Sequence, residues 1–291
     1  MTPETLTLSH GPLRFSATAM GTGPLVLLIH GFPDTRETFK DQLPALAEAG
    51  FRAVAVSLRG YEPSSQPDDG DYRVTSLAAD VIAWIDALGE ATAHLVGHDW
   101  GATIAFAATA LAPDRIASLA VLSVPHPSRF AEAYLTVPAQ QARSAYILEF
   151  MSPEADAMIV ADNCAYLENL WRKWSPGWSF AEGDIGPMGR AMQQPGVATA
   201  ALSYYRQAFD AVSDAAKASQ ALLAGPFAVP TLGLTGQDDG CISADVFEAA
   251  MRAADFLGSL HVEQITGAGH FLHREAPDQV NEQLICWMRR I

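Results

Sequence analysis

The sequence predicts an α/β protein: a mostly parallel central sheet covered by helices, with a mainly helical cap inserted into it. Three observations carry this expectation. From residue 24 to residue 124, short apolar runs alternate with helical segments. The alternation lapses between Pro125 and Pro226 into helical, aromatic-rich sequence, and it resumes from Pro230 to the end. Strands buried on both faces and separated by helices imply parallel pairing with helical crossovers. The expected division is a first core segment over residues 1–127, a cap over 128–225 and a second core segment over 226–291.

Each element has its own local reason. Residues 5–9 and 13–19 alternate polar and apolar side chains and predict antiparallel edge strands, while residues 24–29 form a continuous apolar run for a buried strand. A helix over 38–49 is closed by Gly50, a strand covers 51–58, and a helix over 77–88 is closed by Gly89. Residues 93–96 form the next strand; the helix after it is expected to stop near Ala112-Pro113, and a strand follows over 116–124. In the cap, Trp171, Trp174 and Trp178 are read as packing rather than as cavity wall, since aromatic clusters ordinarily fill a small domain's own core. A strand over 230–235, a helix over 244–253, a strand over 260–265 and a helix over 278–289 complete the chain.

With 291 residues, 49% of them hydrophobic, the chain can bury a large core. A formal charge of −15 argues against nucleic acid or an anionic membrane as partner. Cys164, Cys241 and Cys286 are widely spaced and suggest neither a disulfide framework nor a zinc site. No metal or organic cofactor is expected. The first residues lack a basic and apolar leader, and no apolar run approaches the roughly 18 residues of a membrane span, so a cytoplasmic protein is expected.

Chemistry concentrates at Gly97-His98-Asp99-Trp100-Gly101, between a strand and a helix. This is the G-x-S-x-G pattern of a nucleophile elbow, the sharp turn of α/β-hydrolases, with aspartate in place of serine. A carboxylate is ordinarily ionised at neutral pH and can attack saturated carbon without a base. The product is an ester that water can hydrolyse, whereas serine would leave an inert ether. Asp99 therefore points to epoxide opening or halide displacement. The acid and base of such a site follow in chain order: Asp239, preferred over Asp238, after the resumed strand, and His270, flanked by Gly269, after the last one. Backbone N–H groups of Phe32 and Trp100 are expected to form the oxyanion hole. His30 is read as structural, and His273, outside the glycine-flanked setting, as a surface residue.

On these residues, together with His30-Gly31-Phe32-Pro33 and Arg59-Gly60-Tyr61, the chain resembles the α/β-hydrolase-fold epoxide hydrolases over nearly its whole length. Glu62 departs from the glycine frequent there in the family. The resemblance implies two cap tyrosines that hydrogen-bond the epoxide oxygen. The segments Tyr146-Ile147-Leu148-Glu149-Phe150 and Ser203-Tyr204-Tyr205-Arg206 match them, giving Tyr146 and Tyr205. The expected partners are a small-molecule epoxide and water, with a homodimer left open. Haloalkane dehalogenase is the alternative, sharing the aspartate nucleophile, but Phe32 offers no side-chain donor for halide. A non-enzymatic, hydrolase-like ligand receptor is the third reading, since fold alone does not prove activity.

Overall fold

A computed structural model describes residues 2–209 and 213–291. The chain begins with β1 (Glu4–His10), β2 (Leu13–Met20), β3 (Leu25–Ile29), α1 (Gln42–Glu48), β4 (Arg52–Val56), α2 (Val74–Ala87), β5 (Ala93–His98), α3 (Trp100–Leu111) and β6 (Ile116–Leu122). Helices α4 (Pro127–Thr136), α5 (Pro138–Arg143), α6 (Tyr146–Phe150), α7 (Ala155–Trp174), α8 (Glu182–Met192), α9 (Val197–Ala208) and α10 (Asp214–Leu223) follow. The chain then returns to the sheet with β7 (Thr231–Gly236), α11 (Ala244–Ala250), β8 (Leu260–Ile265), α12 (Leu272–Glu275) and α13 (Pro277–Met288).

The eight strands run in the order β1-β2-β4-β3-β5-β6-β7-β8. The pairings of β1 with β2 and of β2 with β4 are antiparallel. The remaining five are parallel. All five residues of β3 are buried, as the unbroken apolar run requires. The period of two then sorts them: Leu25, Leu27 and Ile29 join one core layer with Val54 and Val56, while Val26 and Leu28 join the other with Ala53 and Ala55. The first of these layers continues into the helices between β6 and β7, through Ile147, Phe150, Leu167 and Leu202. At the two ends of the sheet, β1 and β8 each pair on one side only.

The expected helix over 38–49 is two pieces, a 3-10 turn at Arg36–Phe39 and then α1. Pro44 explains the division. It has no N–H to donate and fits only the first turn of a helix, so α1 must begin at Gln42. Glu62 ties its loop to neighbouring elements: it accepts the N–H of Ser16 in β2 at 2.9 Å and pairs with Arg36 at 3.1 Å. Helix α7 is bent where Asp162, Asn163 and Cys164 take positive φ. Beyond the bend, Trp171 stacks on Trp178 at 5.4 Å and meets Phe271 at 4.2 Å. Among the described residues no helix is long and apolar enough to cross a membrane.

Candidate active site

Asp99 sits at the turn from β5 into α3 with φ 52° and ψ −121°, a conformation that costs an L-residue energy and is held only by its surroundings. Here the surroundings are specific. The Asp99 N–H donates to the Leu122 carbonyl at 3.2 Å, and the Ala102 N–H donates to the Asp99 carbonyl at 2.9 Å. The two glycines of the pentapeptide let backbones meet: a Cβ on Gly101 would lie 1.9 Å from the Ile29 carbonyl oxygen, and one on Gly97 would lie 2.3 Å from the Gly101 oxygen. Strand β3, the elbow and α3 are thereby pressed together. Phe32, in the loop after β3, donates its N–H to Asp99 Oδ1 at 2.7 Å.

The other oxygen of Asp99 faces His270. Its Oδ2 lies 3.5 Å from His270 Nε2, close enough for a charge contact, although Nε2 makes no hydrogen bond of good geometry. On the far side of the ring, Nδ1 donates to Asp239 Oδ2 at 3.0 Å. Asp239 Oδ1 is held by the N–H groups of Cys241 and Ile242, at 2.7 and 3.0 Å. Both oxygens of Asp239 are thus engaged. Burial disfavours a charged His270, but the carboxylates of Asp239 and Asp99 on either side outweigh it and push its pKa up to about 10. The ring is fixed through its own backbone: the His270 carbonyl accepts from Ser123 Oγ at 2.6 Å and His98 Nε2 at 2.9 Å, and its N–H donates to the Trp174 carbonyl at 3.1 Å.

Tyr146 on α6 and Tyr205 on α9 are both buried, with ring centroids 6.1 Å apart. Tyr205 meets Phe32 and Trp100 edge-on at 5.4 and 5.0 Å. Both tyrosines line a cavity of about 420 Å³ together with Asp99, Trp100 and Cys241. Its remaining wall is largely apolar, with Val124, Phe130, Ile147, Leu223 and Ile242. Burial raises the pKa of both phenols well above the ordinary range, so each keeps its proton. The Tyr205 hydroxyl has no hydrogen-bond partner of proper geometry, although the Trp100 side chain is near enough to favour its ionised form. Tyr204 is turned away, its hydroxyl donating to the Arg59 carbonyl at 2.7 Å. Trp171, Trp174 and Trp178 are absent from the cavity wall. His30 is structural: Nδ1 donates to the Gly31 carbonyl at 2.9 Å and Nε2 accepts the Leu58 N–H at 3.2 Å.

His273 corrects the sequence reading. It is fully buried rather than on the surface, sharing a 2.7 Å hydrogen bond with Thr38 and packing 4.5 Å from His98. The reason is α12, whose short turn after Phe271 carries it into the interior beside buried Leu272. Asp34, which sequence reasoning passed over, completes a group with His98 and His273 in which one ligating atom of each lies within 4.8 Å of the others. Burial pushes the Asp34 carboxyl up to about 7. This is the one grouping among the described residues able to bear on a single cation, and the positive charges of Arg274 and His270 beside it oppose one. The only signal in the sequence was position: Asp34 directly follows His30-Gly31-Phe32-Pro33.

Comparison with known proteins identifies the family. The family model for the alpha/beta hydrolase fold matches residues 24–277. An epoxide hydrolase of Caballeronia sordidicola is 31% identical, over 96% of this chain and 92% of its own. Epoxide hydrolase A of Mycobacterium tuberculosis is 32% identical, over 90% and 89%. The crystal structure of Epoxide Hydrolase A from Mycobacterium thermoresistibile superposes with a TM-score of 0.83 at 27% identity, over 99% of this chain and 98% of that one. With a family model over residues 24–277 and relatives more than 30% identical over at least 90% of its length, the chain belongs to the α/β-hydrolase family and, within it, to the epoxide hydrolases.

Proposed function

We propose that the protein hydrolyses a small organic epoxide to a vicinal diol through a covalent ester on Asp99. The observation that carries this reading is His270 held between two carboxylates, 3.0 Å from Asp239 and 3.5 Å from Asp99, which itself lines an apolar cavity. With Oδ1 bound to the Phe32 N–H, Oδ2 is the attacking oxygen. It forms a bond to a ring carbon as the carbon–oxygen bond of the epoxide breaks. Tyr146 and Tyr205 donate hydrogen bonds to the departing ring oxygen, whose negative charge would otherwise make it a poor leaving group.

Esterification then changes the base. Once Asp99 is an ester it carries no charge, and one of the two interactions that keep His270 protonated disappears. The histidine then gives up its proton, which by way of solvent neutralises the alkoxide left by ring opening, and in its neutral form it accepts a proton from water as that water adds to the ester carbonyl. Backbone N–H groups of Phe32 and Trp100 stabilise the oxyanion, and collapse of the tetrahedral adduct releases diol and regenerates the Asp99 carboxylate. Asp239 orients the imidazole and stabilises its cationic form.

Incubation with a panel of terminal and aryl epoxides and of haloalkanes, with diol and halide measured side by side, tests the reading. Diol formation without added metal or organic cofactor is expected, and it should persist in the presence of chelator. Halide release with no diol would move the protein to the haloalkane dehalogenases.

A further inference from the structure

One wall of the cavity is a thiol. Cys241 is buried in the loop after β7, two residues beyond Asp239, and lines the cavity with Tyr146 and Tyr205. Its backbone is held from two sides. The N–H donates to Asp239 Oδ1 at 2.7 Å, and the carbonyl accepts from Gln140 Nε2 of α5 at 2.8 Å. Gln140 is itself buried, and its Oε1 accepts the Ser243 N–H at 3.4 Å, so α5 grips the acid-bearing loop at two points. With its backbone so fixed, Cys241 presents Sγ 3.6 Å from the Tyr146 hydroxyl, a hydrogen-bond contact for sulfur. The two tyrosines are therefore unequal. The Tyr205 hydroxyl makes no hydrogen bond of good geometry, its nearest donor being the Trp100 side chain.

Resting on the function proposed above, we propose that Cys241 is a positioning residue for ring opening: its thiol steers the Tyr146 hydroxyl towards the epoxide oxygen and donates to the phenol oxygen while the phenol donates to the substrate. The two hydrogen bonds are compatible, because a phenol has one proton to give and lone pairs with which to accept. Burial, with the charges of Asp239 and Asp99 nearby, pushes the thiol pKa well above its ordinary value and keeps the S–H proton in place. The thiol forms no covalent bond in this role. Its backbone contacts to Asp239 and Gln140 do not depend on the side chain, so substitution there leaves the acid in position.

The test is transient kinetics of ester formation in Cys241→Ala, Cys241→Val and Cys241→Ser, each repeated with Tyr146→Phe and with Tyr205→Phe. Cys241→Ala and Cys241→Val should alkylate about threefold to tenfold more slowly, the worth of one modest hydrogen bond. The hydrolysis step should keep its rate, and Cys241→Ser should recover most of the loss. The decisive readout is coupling. The Cys241 effect should vanish when Tyr146 is already phenylalanine and persist in full when Tyr205 is. Additive losses in the Tyr146→Phe background, or wild-type alkylation by Cys241→Ala, would overturn the proposal and leave the thiol as packing. Wild-type alkylation by Tyr146→Phe itself would instead remove that tyrosine from the proposed mechanism, and the role of Cys241 with it.

Discussion

At the scale of single residues, the proposed mechanism assigns its two chemical steps to different side chains, Asp99 for ring opening and His270 for ester hydrolysis. His270→Gln should still form the Asp99 ester and fail to hydrolyse it, because attack by a carboxylate needs no base and attack by water does. Intact-mass measurement after mixing with epoxide should find one adduct, peptide mapping should locate it at Asp99, and Asp99→Asn should form none. Normal turnover by His270→Gln would contradict the assignment. Asp34 gives a prediction about stability. Its folded-state pKa of about 7 lies above the unfolded value, so the folded chain keeps a proton that the unfolded chain has released, and stability falls as pH climbs from about 4 through 7. Denaturation of wild type and Asp34→Asn at about pH 5 and about pH 8 should show the variant gaining relative stability at the higher pH. These residues also mark what the sequence disclosed. Asp99, Asp239 and His270 stood out because glycines and strand ends flank them. Asp34 and His273 did not, since their burial comes from a loop and a four-residue helix whose paths no local pattern specifies.

At the scale of elements, the elbow and the two tyrosine-bearing helices can be tested separately. Gly101→Ala drives a methyl group into the Ile29 carbonyl, a backbone atom that cannot swing aside. Overpacking of this kind typically costs about 1–3 kcal/mol, and urea unfolding should register a loss at least that large. Tyr146→Phe and Tyr205→Phe should each slow ester formation by on the order of 10²-fold, with a far larger loss in the double variant, where the ring oxygen has no donor from either helix. An unslowed double variant would return both side chains to packing. The alternation of strands and helices was legible because each buried strand must be apolar on both faces and each covering helix on one. Where the expected helix over 38–49 breaks, Pro44 carried a signal that periodicity alone overlooked. The bend in α7 was not legible, since Asp162, Asn163 and Cys164 depart from helical geometry without a glycine or proline to announce it.

At the scale of the whole molecule, the cavity and the net charge act in the same direction. Among the described residues lining the cavity, Asp99 is the only acidic or basic side chain, and the chain as a whole bears a formal charge of −15. An anionic substrate would lose its hydration, meet like charge and find no cation in the cavity wall, the His270 cation being already enclosed by Asp99 and Asp239. An epoxide bearing a carboxylate should therefore have a kcat/KM lower than that of its methyl ester by on the order of 10²-fold or more, since like charges brought together cost several kcal/mol. Equal values for acid and ester would show that the cavity does not select against charge. The sheet that holds the cavity floor has a further consequence. Its open margins are guarded: β8 carries His261 and Glu263 on alternate positions, paired at 3.2 Å, and β1 is polar and largely exposed. Charged side chains on a terminal strand discourage another chain from annealing along it. Strand-by-strand growth into fibrillar aggregates is thereby disfavoured at both ends of the sheet.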